Sequence, residues 1–372
     1  MKFINVFKPK VTLKDIYFVL INLIKGNISG TSHIISDFEK KFAVLNNTKF
    51  CVALSNGSIA LEAAFEALDL EEGSEVILPS HSIISCLSPI LRRNLIPVFC
   101  DVDINSWNTN VENIREVYSE KTKAIILVHT YGLSAQAEEI TNFAKENNIL
   151  IIEDAAEAHG QTYNGRTVGS FGDISTFSFY ANKHITMGEG GAICTDNYDY
   201  YKKIKQIINL DFTNEKRFYH NNLYWNYRLS GLQASLGLSQ ISYLNKTIKN
   251  KIKQGNNYLN LLKDYSNLMQ LPLQENLGQI NHFWVFGVVL KKNEIRDEVI
   301  KNLLKLNIET RPFFWPLHLQ PLIRNYEYKT GKLNNSEIIG KNGLYLPMGS
   351  HINFQDQKFI VKKLIEILVR FN

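Results

Sequence analysis

The chain has 372 residues, 45% of them hydrophobic and 21% charged, which excludes a disordered or low-complexity chain and leaves room for a large core. Its formal charge of +5 comes from scattered lysines rather than from a basic helix interleaved with aromatics. That argues against nucleic-acid binding and suits a small anionic substrate. In chain order, Ile16–Ile24 is apolar but short, contains Asn22 and is followed by Lys25. An amphipathic helix is expected there, not a signal peptide or a membrane span, and the protein is expected in the cytoplasm. The cysteines Cys51, Cys86, Cys100 and Cys194 form no CxxC pair and sit in or beside apolar runs, so they read as buried free thiols.

Strand-like runs follow at Phe50–Leu54, Glu75–Leu78, Ile96–Val102, Ala124–His129, Leu150–Glu153, Ile174–Phe179 and Ala192–Thr195. Helical patterns lie between the earlier ones, at Ser58–Ala67, Ile84–Arg92, Val111–Tyr118 and Ala137–Asn147. Alternation of this kind predicts an α/β fold with a mostly parallel, seven-stranded sheet, and a ligand at the carboxyl ends of its strands. The pattern changes after about Gly237. One long helix is predicted over Gln240–Leu262, then a strand over Phe283–Leu290 and helices over Arg296–Leu306 and Gln355–Leu368. The expected division is a large domain over 1–240, with the N-terminal helical segment, and a small α+β domain over 241–372.

Three segments carry chemistry. Ser55-Asn56-Gly57-Ser58 follows a strand and opens a helix. Free amides at a helix N-terminus bind phosphate, Gly57 permits close approach and Ser58 adds a hydroxyl, although an ordinary cap at Ser58 explains the pattern as well. Next, the apolar strand Ile151-Ile152 ends in Glu153-Asp154, with Ala155-Ala156-Glu157 beyond. A carboxylate there can keep a ring nitrogen protonated, as pyridoxal phosphate (PLP) chemistry requires. A metal is not expected, because only His159 is near. Last, Ile174–Phe179 delivers Ser178 and then Lys183, before Gly188-Glu189-Gly190-Gly191. A lysine on a tight connection between buried strands can be desolvated and made nucleophilic.

These segments, in this order and with Asn226-Tyr227-Arg228 after them, resemble the DegT/DnrJ family of sugar-nucleotide aminotransferases. The resemblance runs from about Ser29 to near the C-terminus. It implies the fold-type I PLP fold, PLP as cofactor and a homodimer with both active sites at the subunit interface. It implies that Lys183 carries the cofactor, that Asp154 pairs with the pyridine nitrogen and that Glu157 lies near the phenolic oxygen. Many relatives have glutamine at that last position, and the perosamine-type members have glutamate. Gly57, Ser58 and Ser178 would hold the cofactor phosphate, and Asn226 would reach the phosphate in the partner subunit. His81 falls where relatives place an aromatic ring over the cofactor. His184, Arg311 and His318 are the expected substrate residues, the last two from the segment Arg311-Pro312-Phe313-Phe314-Trp315-Pro316-Leu317-His318.

The activity implied is transfer of an amino group from glutamate to a nucleotide-linked 4-keto-6-deoxy sugar for a surface polysaccharide such as O-antigen. GDP-4-keto-6-deoxy-mannose is the first expectation, with UDP- or dTDP-4-keto-6-deoxy-glucose as the alternative. Some relatives are PLP-dependent sugar 3-dehydratases, with histidine in place of the lysine. Here the spacing from Phe177-Ser178-Phe179-Tyr180 puts Lys183, not His184, at the reactive position. A regulatory PLP-fold protein is disfavoured by the same lysine.

Overall fold

The computed structural model describes residues 2–212 and 218–371. Its central sheet has eight strands. Their spatial order is Phe50–Leu54, Gly191–Thr195, Ile174–Ser178, Leu150–Asp154, Thr122–Val128, Glu75–Pro79, Ile96–Cys100 and Lys329–Thr330. Gly191–Thr195 runs antiparallel to both its neighbours, and the other ladders are parallel. Seven of these strands match the expected runs. The eighth is a two-residue edge strand from beyond residue 240, paired with Val98 and Phe99. It is too short for any apolar periodicity to announce it.

The strands are apolar runs because both faces of the sheet are covered. Side chains alternate between faces along a strand. Cys51, Ala53, Ile125, Leu127 and Ile151 accordingly join one core, on the side of the helix His33–Leu45. Val52, Leu54, Ala124, Ile126 and Ile152 join the other, against the helices Gly57–Leu68 and Ile84–Arg92. A third core gathers Tyr258, Phe286, Leu303, Leu344 and Leu364. A small aromatic cluster of Trp107, Tyr131, Trp284 and Phe313 joins the central sheet to that third core. All four cysteines are buried and free. No helix among the described residues is long and apolar enough to cross a membrane.

Three boundaries differ from the sequence expectation. The helix expected from Ser58 begins at Gly57 and is capped by Asn56, whose Oδ1 accepts the Ile59 amide at 2.9 Å. The helix expected over Gln240–Leu262 is two, Gly231–Ile241 and Leu244–Leu262. Tyr243 breaks it with φ −131°, and its hydroxyl donates to Oδ2 of the buried Asp15 at 2.6 Å. No glycine or proline marks that break. The strand expected from Phe283 starts at Phe286, because Phe283 takes a left-handed φ of 48° and gives its amide to Asn281 Oδ1.

The N-terminal helix Leu13–Ile24 opens with a reciprocal Thr12–Asp15 cap. It buries Asp15 and Asn22 and turns Leu13, Ile16, Leu20 and Ile24 outward. An amphipathic helix was expected from its sequence; burial of its polar residues follows from their partners, since Asp15 accepts from Tyr243 and Gln240.

Candidate active site

Val128, Asp154 and Ser178 are the last residues of three adjacent parallel strands. A cavity of about 570 Å3 opens over their carboxyl ends. Of the expected site residues, Gly57, Ser58, Asp154, Glu157, Ser178, Lys183 and Arg311 line it.

At one end stands the start of the helix Gly57–Leu68. Asn56 supplies the cap, so Ser58 is free of that duty, and its hydroxyl lies 2.7 Å from that of Ser85. A Cβ on residue 57 would sit 2.7 Å from Cβ of Ser178 and 3.2 Å from its hydroxyl. Glycine is therefore what lets this helix start close against the end of the strand. Helix amides and serine hydroxyls gathered at one place in this way can hold an anion.

Asp154 emerges from the end of Leu150–Asp154. Its Oδ1 accepts the Ala156 amide at 3.0 Å and its Oδ2 accepts the Cys86 thiol at 3.3 Å. The preceding residue anchors the strand end. Glu153 is fully buried, yet its carboxylate accepts from the amides of Gly169, Phe171 and Gly172, the Ser175 hydroxyl and Nε2 of His129. Burial opposes the charge, but His129 and these amides together hold the carboxyl below its usual range. The pair Glu153-Asp154 thus divides its work: one carboxylate is locked in the protein and the other faces the cavity.

Lys183 sits in the turn after Ile174–Ser178, its amide bonded to the Tyr180 carbonyl. Only 9% of its side chain is exposed. The amine lies 3.4 Å from Oε1 of Glu157 and 3.9 Å from the Trp284 ring centroid. Trp284 is tied to the same turn through Nε1 and the Asn182 carbonyl. Glu157 also accepts the Tyr131 amide at 3.0 Å. Burial pushes its carboxyl up to about 7, against the pull of the Lys183 ammonium.

Because an exposed glutamate titrates near 4.5, this shift destabilises the fold as Glu157 ionises. Its contribution to stability is complete below about pH 4.5 and is lost as the pH rises through about 7. In denaturant titrations of the cofactor-free protein, stability is expected to drop more between pH 5 and pH 8 in the wild type than in Glu157→Gln. Equal drops would mean that Glu157 does not titrate in that window.

Four expected residues are not brought to the cavity. His81 is fully buried behind it, among the rings of Tyr131, Phe313 and Phe314, and burial alone drives its pKa down to about 3. Ile83, two residues on, lines the cavity instead. His184 is buried and lines a neighbouring cavity, with Nε2 3.4 Å from the His282 carbonyl. His318 is held by Ser80 at 2.6 Å and lies 3.5 Å from Glu337. Asn226 is exposed on a separate segment beside Leu223, which is 92% exposed. Arg311 does reach the cavity, with its guanidinium over the Phe7 ring at 5.0 Å and 3.4 Å from Glu309. Among the described residues no cluster could hold a metal ion.

Sequence reasoning passed over Trp284, His129 and Ile83. Trp284 and His129 are ordinary members of apolar segments until the fold carries them to the cavity wall, and no local signal sets them apart. The cysteine touching Asp154 gave no signal either, being 68 residues away in sequence.

The residues fit a flat, phosphorylated aldehyde. The chamber has helix amides and serine hydroxyls that can hold an anion, brought together by a close approach that only glycine at 57 permits, a carboxylate that can meet a protonated ring nitrogen and a largely buried amine.

The DegT/DnrJ/EryC1/StrS aminotransferase family model matches residues 18–365. A GDP-perosamine synthase of Escherichia coli O157:H7 is 34% identical over 98% of this chain and 99% of its own. One from Caulobacter vibrioides is 33% identical over 98% of both chains. Among solved structures, the E. coli GDP-4-keto-6-deoxy-D-mannose-3-dehydratase with bound hydrated PLP superposes with a TM-score of 0.89 at 24% identity, covering 97% of this chain and 99% of that one.

Proposed function

Because the chain belongs to the DegT/DnrJ/EryC1/StrS aminotransferase family, we propose that it moves an amino group from glutamate to GDP-4-keto-6-deoxy-mannose, giving GDP-perosamine for a surface polysaccharide. Its cofactor is PLP, and its chemistry is that of aminotransferases acting on nucleotide sugars. The observation that carries the reading is the Lys183 amine, drawn out of water and 3.4 Å from Glu157, in one cavity with Asp154 and the Gly57–Ser58 cradle. The choice of sugar is supported by identity over nearly the whole length of two GDP-perosamine synthases.

Bound PLP supplies an aldehyde that accepts the amino group and a ring that takes up the electron pair of a broken C–H bond. Lys183 would hold the cofactor through its amine, and once freed by the amino donor that amine would be placed to hold and move a proton within reach of Glu157. Asp154 would keep the ring nitrogen protonated. Ser58, Ser178 and the amides after Asn56 would hold the phosphate. Ile83 would line the chamber beside the cofactor, and His81 backs the wall behind it. Arg311 takes an anionic part of the substrate. His184 and His318 act from outside the cavity, on the turn that bears Lys183 and on the segment that follows Arg311. Release of the keto acid before the sugar enters makes the kinetics ping-pong.

We further propose a homodimer in which Asn226 serves the partner's phosphate cradle. Its exposure, with that of Leu223 and Trp225, supports this. The division into 1–240 and 241–372 is proposed as a functional one, with Arg311, Phe314 and Trp284 closing the cavity from the second part.

A panel of GDP-, UDP- and dTDP-linked 4-keto-6-deoxy sugars, each with glutamate and followed by mass spectrometry, tests the assignment. An amine product from the GDP sugar alone is expected. Turnover of only the UDP or dTDP sugars would replace the substrate. Consumption of the keto sugar without any amine product would point to dehydration.

A further inference from the structure

Asp154 meets the cavity with a side chain whose last torsion is intrinsically loose, since rotation about a bond to a carboxyl carbon is broad and two-fold. One anchor is local: Oδ1 accepts the Ala156 amide two residues on. The other comes from across the fold. Cys86, on the helix Ile84–Arg92, donates its thiol to Oδ2 at 3.3 Å, and the Ser82 hydroxyl donates to the same sulfur at 3.3 Å. Ser82, Cys86 and Asp154 are all buried.

We propose that Cys86 is a positioning residue for the transamination, fixing the plane of the Asp154 carboxylate so that its free lone pairs point at the ring nitrogen of the cofactor. This rests on the reading of Asp154 given above. With one oxygen tied to its own backbone and the other to a neighbouring helix, the carboxylate cannot turn without breaking a hydrogen bond. Burial, with the nearby negative charge of Asp154, pushes the Cys86 thiol well above its ordinary value, so it stays a protonated donor. A thiol is a weak donor. It orients the carboxylate while drawing off little of the charge the ring nitrogen needs. The Ser82 hydroxyl, donating to the sulfur, polarises the S–H bond towards Asp154.

The test uses the holoenzyme of the wild type, Cys86→Ala, Cys86→Ser and Asp154→Asn. Two quantities are read: the pH midpoint of the visible cofactor band and the dissociation constant of the cofactor. A ring nitrogen whose proton is held less firmly withdraws less charge from the bond to Lys183, so its midpoint rises. Cys86→Ala is expected to raise the midpoint and to weaken cofactor binding roughly tenfold, the scale of one hydrogen bond to a charged group. It should lower kcat while leaving the KM for the amino donor in place. Cys86→Ser keeps a donor and should restore both readings most of the way.

Unchanged readings in Cys86→Ala, with a shifted midpoint in Asp154→Asn, would overturn the role of Cys86 and leave that of Asp154 standing. Unchanged readings in both would remove the Asp154 assignment itself. A shift in Cys86→Ser as large as in Cys86→Ala would also overturn the proposal, since volume rather than the donor would then matter. Should Cys86→Ala fail to fold, Cys86→Val, which fills the site without a donor, decides by the same midpoint.

Discussion

Lys183→Ala is expected to lose the visible absorption of covalently held cofactor and to slow transamination by roughly 10³-fold or more, the upper range for a positioned proton carrier. The amine stands in a turn between two buried strands, against the face of Trp284 and near one carboxylate, with little water around it. An amine so placed lacks the free rotation of a surface lysine, and among the described residues no other lysine lines this cavity. The variant should still bind PLP without a covalent bond, because Gly57, Ser58, Ser178 and Asp154 are untouched. An absorption spectrum identical to that of the wild type would refute the assignment. Retained turnover with a lost band would separate the covalent role from the proton-carrying one.

Asp154→Asn should reduce the first half-reaction by roughly 10²- to 10³-fold, corresponding to about 3–4 kcal/mol, in the range for a buried ion pair broken on one side. Asparagine keeps the shape, and its carbonyl oxygen can still accept from Ala156 or Cys86. What it loses is the negative charge that keeps a ring nitrogen protonated. Single-turnover absorbance with glutamate measures the half-reaction directly. Near-normal rates would show that the nitrogen does not depend on this carboxylate. The cofactor should dissociate more easily but remain bound at high concentration, since Gly57, Ser58 and Ser178 are untouched.

Seven strands of the central sheet are legible because each is a short apolar run buried on both faces. The helix start at Asn56–Ser58, the Glu153-Asp154 pair and the Ser178–Lys183 spacing are legible for a related reason. Each is a local string at the end of a strand, where backbone geometry alone carries side chains to one edge. The break at Tyr243 is hidden because its cause, Asp15, lies far away in sequence. The start of the strand at Phe286 is hidden because the left-handed turn at Phe283 is held by Asn281 rather than by a glycine.

His81 and Ile83 show the limit most clearly. They are two residues apart in one loop, and the histidine is the more chemical of the two. Yet the loop buries His81 among three aromatic rings, two of them from residues 313 and 314, and turns Ile83 to the cavity. A similar contrast separates Lys183 and His184, adjacent in sequence, of which only Lys183 lines this cavity.

The sequence by itself determined the α/β framework and the PLP family, and it singled out Lys183 as the lysine to test, because strand-end motifs keep their meaning wherever the sheet is built. Only the tertiary structure decided which neighbours surround that lysine. Trp284 over its amine, Cys86 on Asp154 and Ile83 at the wall are contacts between segments distant in sequence, or choices of direction within a loop. Packing sets both, and no local pattern encodes either.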